Sequence, residues 1–100
     1  MRIYISGPIS GHLDYQMRFK AAESILKAAG HTPFNPAEIL ANLPEGVEWG
    51  EIMEIDKKLM ELCDGIYMLN GWKDSRGASI EFEYAYENEM LIMFEGGVMP

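Results

Sequence analysis

The stretch Gly65-Ile66-Tyr67-Met68-Leu69-Asn70-Gly71-Trp72-Lys73-Asp74-Ser75-Arg76-Gly77-Ala78-Ser79-Ile80-Glu81 decides how this chain folds. It opens on an apolar run, Gly65 to Leu69, short enough for a buried strand and closed by turn residues. It ends in a segment with helical spacing, where Ala78, Phe82 and Ala85 mark one face, so a helix is expected from Ala78 to about Asn88. Between them lies a polar, glycine-containing loop. A Ser, an Arg and a Gly at a strand-to-helix junction, with an acid four residues beyond the Gly, raise the question of whether the loop only turns the chain or also holds a ligand.

The same alternation extends outward in both directions. Arg2 to Ile5 reads as a strand stopped by Ser6-Gly7-Pro8. From Asp14, a good N-cap residue, to Ala29 the pattern is helical, with Met17, Ala21, Ile25 and Ala29 every four residues and Gly30 as the stop. His31 to Phe34 is a second strand, and Asn35-Pro36 opens a short helix to about Leu40. Pro44-Glu45-Gly46 is a loop. Trp49 to Cys63 is helical, with Ile52, Ile55, Leu59 and Leu62 on one stripe, and Leu91 to Phe94 is the fourth strand. Strands alternating with helices predict an α/β fold: a small Rossmann-like, flavodoxin-like three-layer sandwich on a four-stranded, mainly parallel sheet. One domain over residues 1–100 is expected at this length.

Composition narrows the function classes. The chain has 100 residues, 48% of them hydrophobic, which argues against disorder. A chain this short buries only roughly 60–65% of its unfolded surface, so a homodimer or higher homo-oligomer is expected. With 16 acids against 8 bases the net charge is −8, and the bases do not cluster. Polymeric nucleic acid is therefore excluded as a partner, since neutralising its phosphates needs a Lys/Arg surface. A small anion met by backbone amides and one or two cations stays possible. The single Cys63 allows no internal disulfide and fits a reducing, cytoplasmic setting. No apolar run is long enough for a signal peptide before Gly7, and none approaches the ~20 residues of a membrane span. His12, His31 and Cys63 lack metal-ligand spacing, so no metal is expected.

In parallel sheets ligands bind beyond the carboxyl ends of the strands. That rule names two loops, Ser6–His12 and Asn70–Gly77. The first, Ser6-Gly7-Pro8-Ile9-Ser10-Gly11, can bring its backbone close to an anion, or can be a plain tight turn. At about 100° per residue, Asp56 falls on the flank of the core-facing stripe of its helix, and Glu81 at the edge of the Ala78/Phe82/Ala85 face. A carboxylate there costs desolvation unless it is paired, hydrogen-bonded or functional, although a boundary residue reaching water is the bland alternative. Tyr4, at the end of the first strand, can bond such a carboxylate or simply fill the core.

Three features together resemble the nucleoside 2-deoxyribosyltransferase superfamily. They are Ile3-Tyr4-Ile5-Ser6-Gly7-Pro8-Ile9-Ser10-Gly11, an Asp eight residues before Asp64-Gly65, and Ser75-Arg76-Gly77-Ala78-Ser79-Ile80-Glu81 as Ser-x-Gly-x-x-x-Glu. The likeness runs over most of the chain. It leans toward the branch of 2'-deoxynucleoside 5'-phosphate N-hydrolases and short relatives with Trp-x-x-Ser-Arg-Gly-Ala. The resemblance implies that Glu81 is the carboxylate that attacks the anomeric carbon and that Asp56 passes a proton to the departing base. It implies that Tyr4 positions the nucleophile and that Gly7 lies close to the substrate. Substrate contacts are expected from Ser6, Gly7, Pro8 and Ile9 in the first loop, and from Ser75, Arg76 and Gly77 in the second. The transferases carry an Asp at the position of Ser75, and a neutral hydroxyl there favours a nucleotide over a free nucleoside. Arg76 either helps or sits in solvent.

The resemblance therefore implies an enzyme, without a cofactor, that cleaves or transfers the N-glycosidic bond of a 2'-deoxynucleoside 5'-monophosphate or related nucleoside. Two carboxyls about 5–5.5 Å apart would suit a covalent, retaining route. Better-known members add a fifth strand and late residues that complete a neighbour's site, and Glu95-Gly96-Gly97-Val98-Met99-Pro100 matches none of these. Either a dimer completes the pocket differently, or the protein binds a nucleotide without turnover. A protein-interaction domain is the third class.

Overall fold

The structure, a computed structural model, describes residues 1–97; Val98-Met99-Pro100, the last part of the expected 1–100 domain, lies outside the described residues. Four strands are present: β1 (Arg2–Ser6), β2 (Thr32–Phe34), β3 (Gly65–Met68) and β4 (Leu91–Phe94). Between them run α1 (Tyr15–Ala28), α2 (Pro36–Ile39), α3 (Trp49–Glu61) and α4 (Arg76–Glu87), with 3-10 turns at Trp72–Asp74 and Glu95–Gly97. The strands order β2-β1-β3-β4, and every pairing is parallel. The fold is thus the expected α/β sandwich.

Strand alternation sorts the core into two layers. Ile3, Ile5, Tyr67 and Leu69 face one side and pack with Phe19, Ala22 and Leu26 of α1. Tyr4, Ile66 and Met68 face the other and pack with Met60 of α3 and Ala78 and Ala85 of α4. From β1 the chain moves first to β2 at one edge and then, through α3, to β3 on the other side. The loops after β1 and β3 therefore separate at a switch point, where a doubly wound sheet opens a crevice.

Two helices present a different face from the one their spacing predicts. In α1 the buried residues are Phe19, Ala22, Glu23 and Leu26, whereas Met17 and Ile25 are exposed. The large side chains Phe19 and Leu26 stand seven apart, and with Ala22 they pack against Ile3, Ile5, Tyr67 and Leu69 of the sheet. Asp14 occupies the N-cap position of α1, but its side chain makes no capping hydrogen bond. In α3 the fully buried positions are Asp56 and Met60, while Leu62 is exposed just past the helix end. Asp56 consequently sits in the middle of the buried face rather than on its flank. Among the described residues no helix is long and apolar enough to cross a membrane.

Gly65 lets β3 lie tightly between its neighbours. A Cβ there would stand 2.9 Å from both Ile3 Cδ1 and the backbone oxygen of Leu91. The carbonyl belongs to the partner strand and moves only if β3 and β4 spread. Gly65→Ala is expected to destabilise the fold by about 1–3 kcal/mol, the range for overpacking a well-filled site. Urea unfolding checks this, and a midpoint equal to or above the parent's would refute the close-approach reading.

Candidate active site

Because β1 alternates, Tyr4 and Ser6 project from the same face of the sheet, two residues apart, toward α4. Helix α4 starts where Ser75, in extended conformation, accepts a hydrogen bond from Ala78 N at 3.2 Å. This N-cap starts the helix at Arg76, two residues before the position expected from the apolar spacing. Glu81 then falls on the second turn, on the buried face with Ala78 and Ala85. Tyr4 Oη donates to Glu81 Oε2 at 2.8 Å, and Ser6 Oγ donates to Glu81 Oε1 at 2.7 Å. Both carboxylate oxygens are held, and Glu81 is only 7% exposed.

Asp56 reaches the same place from α3. It too is 7% exposed, and its buried Oδ1 has no hydrogen-bond partner. Burial pushes the Glu81 carboxyl up to about 8, the charge of Asp56 adds to the rise, and the Ser6 and Tyr4 hydroxyls oppose it. Burial also raises Asp56, against the pull of Glu81 and Tyr4. Burial first, then the charges of Glu81 and Asp56, raise the Tyr4 phenol well above its ordinary value, so it stays a neutral donor. The two carboxyls titrate as one unit that retains a proton near neutrality.

The pair opens onto a cleft of about 640 Å³, within the range of small-molecule sites. Tyr4, Gly7, Pro8, Ile9, Ser75, Arg76, Gly77, Asp56 and Glu81 all line it. Of the residues expected from the sequence, only Ser6 does not: 1% exposed, it stands behind Glu81 and holds that carboxylate. Gly7 has a packing duty beside its place in the lining, for a Cβ there would come within 2.8 Å of Leu69 Cβ. The close approach lets the first loop leave β1 across the end of β3, where Leu69 N donates to Ser6 O at 2.8 Å. A Cβ on Gly71 would lie 3.5 Å from Pro8 Cγ, so the two loops meet at the floor of the cleft.

Other lining residues were not singled out by sequence. His12, Tyr15 and Gln16 come from the turn closed by His12 N donating to Ile9 O at 3.1 Å and from the start of α1. Trp49 comes from the first residue of α3. Its signal is positional: Trp49, Met53 and Asp56 are spaced four and three apart, hence on one helical face. Trp72, by contrast, is buried and stacks on Phe82 with ring centroids 4.4 Å apart.

The buried pair makes stability pH-dependent with a defined sign. Burial and the charge of Asp56 raise the Glu81 carboxyl from 4.5 to about 8, so the folded chain keeps in this carboxyl pair a proton that the unfolded chain releases. Stability is therefore greatest below the unfolded value, falls as pH rises through this window, and levels off above about 8. Glu81→Gln, which cannot ionise, is expected to stabilise the protein at pH 8 by about 2 kcal/mol, with the gain shrinking toward pH 5. Urea unfolding at the two pH values measures the difference; a variant less stable than the parent at pH 8 contradicts it.

Known proteins share this architecture. The 2-deoxyribosyltransferase of the psychrotolerant bacterium Bacillus psychrosaccharolyticus superimposes with a TM-score of 0.76 and 19% identity, over 100% of this chain and 77% of that one. At that identity the likeness is one of fold. Among curated proteins none matches. Residues 1–94 match the profile of a family described as a domain of unknown function, DUF4406. The chain, with its hydroxyl-clamped glutamate and facing aspartate, belongs to the DUF4406 family.

Proposed function

We propose that this chain, as one domain of the nucleoside 2-deoxyribosyltransferase superfamily, breaks the N-glycosidic bond of a 2'-deoxynucleoside 5'-monophosphate or related nucleoside. The observation that carries the reading is Glu81, fixed through both oxygens by Tyr4 and Ser6, facing a second buried carboxyl, Asp56, across one cleft. The enzyme of similar fold is described as a biocatalyst for nucleoside synthesis, a chemistry this cleft suits.

Glycosidic cleavage needs a nucleophile or anionic stabiliser beneath the sugar and an acid at the leaving group. An oxygen of Glu81 attacks C1', the bond from C1' to the base nitrogen breaks, and the electron pair leaves with the base. Asp56 delivers the shared proton to that nitrogen. In the second half, water or an incoming base attacks C1', releases Glu81 and returns a proton to Asp56. Tyr4 and Ser6 keep Glu81 aimed. Gly7, Pro8, Ile9, Ser75, Arg76 and Gly77 contact the substrate from the two loops. We place the work in the cytoplasm and in a homo-oligomer.

A second reading has its own support. The rise of Glu81 to about 8 leaves a proton in the pair near neutrality, and a glutamic acid that holds it is no nucleophile. A non-catalytic nucleotide-binding module on the same fold would show this state.

Incubation with 2'-deoxynucleosides and their 5'-monophosphates, with chromatography of released base, separates the two. Release is expected, with Glu81→Gln lowering kcat at least about 1,000-fold and Asp56→Asn about 100- to 10,000-fold. Saturable binding without release establishes the module instead. The pH profile follows from the shared proton. The reaction uses the pair carrying one proton, so kcat/KM is expected to fall above about 8, where that proton is lost, and again in acid, where a second one binds. A rate still rising beyond pH 9 excludes Asp56 as the acid.

A further inference from the structure

Helix α3 carries four cleft-lining residues, Trp49, Ile52, Met53 and Asp56. Trp49 lies about 10 Å along the helix axis from Asp56. It is 44% exposed, and its indole borders the start of α4. There the Arg76 guanidinium lies over the ring, its carbon 4.5 Å from the centroid. Among the described residues Arg76 is the only Lys or Arg that lines the cleft, which Asp56, Asp74 and Glu81 also line. Among the described residues it forms no ion pair and no hydrogen bond, so the indole is what holds it.

A planar guanidinium on an indole face occupies the surface that a flat heterocycle would use. We infer that Trp49 is the stacking surface for the base of the substrate, and that Arg76, by lying on that surface, makes the site select anionic nucleotides over neutral nucleosides. The inference rests on the glycosidic reading of the cleft, because it is Asp56 that places the base beside α3.

Selection follows from what Arg76 loses and gains. An exposed cation–π contact is weak, so a base that displaces the guanidinium is handicapped only about two- to five-fold. A neutral nucleoside offers nothing in return. A 5'-monophosphate offers oxygens to the freed guanidinium, and a charge-assisted hydrogen bond of that kind strengthens binding by about ten- to a hundredfold. The same side chain therefore acts with opposite sign on the two ligand types. A cation merely dissolved at the rim would favour the phosphate and leave the nucleoside untouched.

That crossover is the test. Dissociation constants for 2'-deoxynucleosides and their 5'-monophosphates are measured by calorimetry in the Glu81→Gln protein, where no turnover intervenes. Adding Arg76→Gln is expected to tighten nucleosides two- to five-fold and to weaken monophosphates at least ten-fold. Adding Trp49→Leu is expected to weaken both classes about ten-fold, as loss of one base stack does. Indole fluorescence should shift on binding through Trp49, since Trp72 is buried against Phe82. Thermal melts confirm that each variant is folded. If Arg76→Gln moves both ligand classes in one direction, or Trp49→Leu leaves binding unchanged, the inference fails even if the parent releases base. If the crossover appears while the parent releases none, the inference stands and the glycosidic reading falls. Absence of binding by every ligand overturns both.

Discussion

A carboxylate buried inside a protein must find partners, and the whole cleft is organised around how Glu81 finds them. Leaving a charge unpaired in the interior costs far more than a small domain has to spare. Here two hydroxyls from one strand, Tyr4 and Ser6, close on its two oxygens. The bonds join α4 to the central strand β1, across 77 and 75 residues of sequence. They require α4 to present Glu81 on its buried face, and they require β1 to keep its register, since a slip by one residue would turn both hydroxyls to the opposite layer. The fold and the site thus share one constraint.

How much of this is legible from the chain alone depends on the range of the physics involved. The strands and helices follow from local periodicity, and the parallel sheet follows from their alternation, so both appear in the structure as expected. Helix faces are harder. The four-residue repeat Met17-Ala21-Ile25 is as regular as Phe19-Ala22-Leu26, and only packing against Ile3, Ile5 and Tyr67 decides for the second. The capping role of Ser75 is local and readable in principle, whereas the clamp of Ser6 on Glu81 is not, because nothing near Ser6 in sequence announces a partner 75 residues away. Trp49 is partly legible, since its spacing to Met53 and Asp56 sets all three on one helical face, whereas the Arg76 guanidinium over its ring depends on how α4 packs.

Gly7 shows how a packing demand and a ligand demand can coincide. Its missing side chain is explained by Leu69, which would collide with any Cβ, so the glycine alone is no evidence for a substrate. The consequence is nevertheless functional in shape. Because the chain can pass so close to the end of β3, the first loop turns sharply and Pro8 settles near Gly71, leaving the space above Glu81 open. The loop that a well-packed core dictates is also the loop that borders the cleft.

The remaining question is where the shared proton resides, and the hydrogen bonds bear on it directly. A hydroxyl that donates to each oxygen of Glu81 is best served by a charged acceptor, since bonds to ionised groups are the stronger ones. If Glu81 carried the proton, one of those hydroxyls would have to accept from it and redirect its own hydrogen, and Tyr4, fully buried, has only Asp56 to turn to. Asp56 Oδ1, unpartnered in its buried position, has the opposite preference, for a neutral acid is much cheaper to bury than an uncompensated charge. The value near 8 then belongs to the pair and not to Glu81 alone. An ionised Glu81 beside a protonated Asp56 is the state that the proposed glycosidic cleavage would use, and the hydrogen bonds donated by the two hydroxyls of β1 favour it.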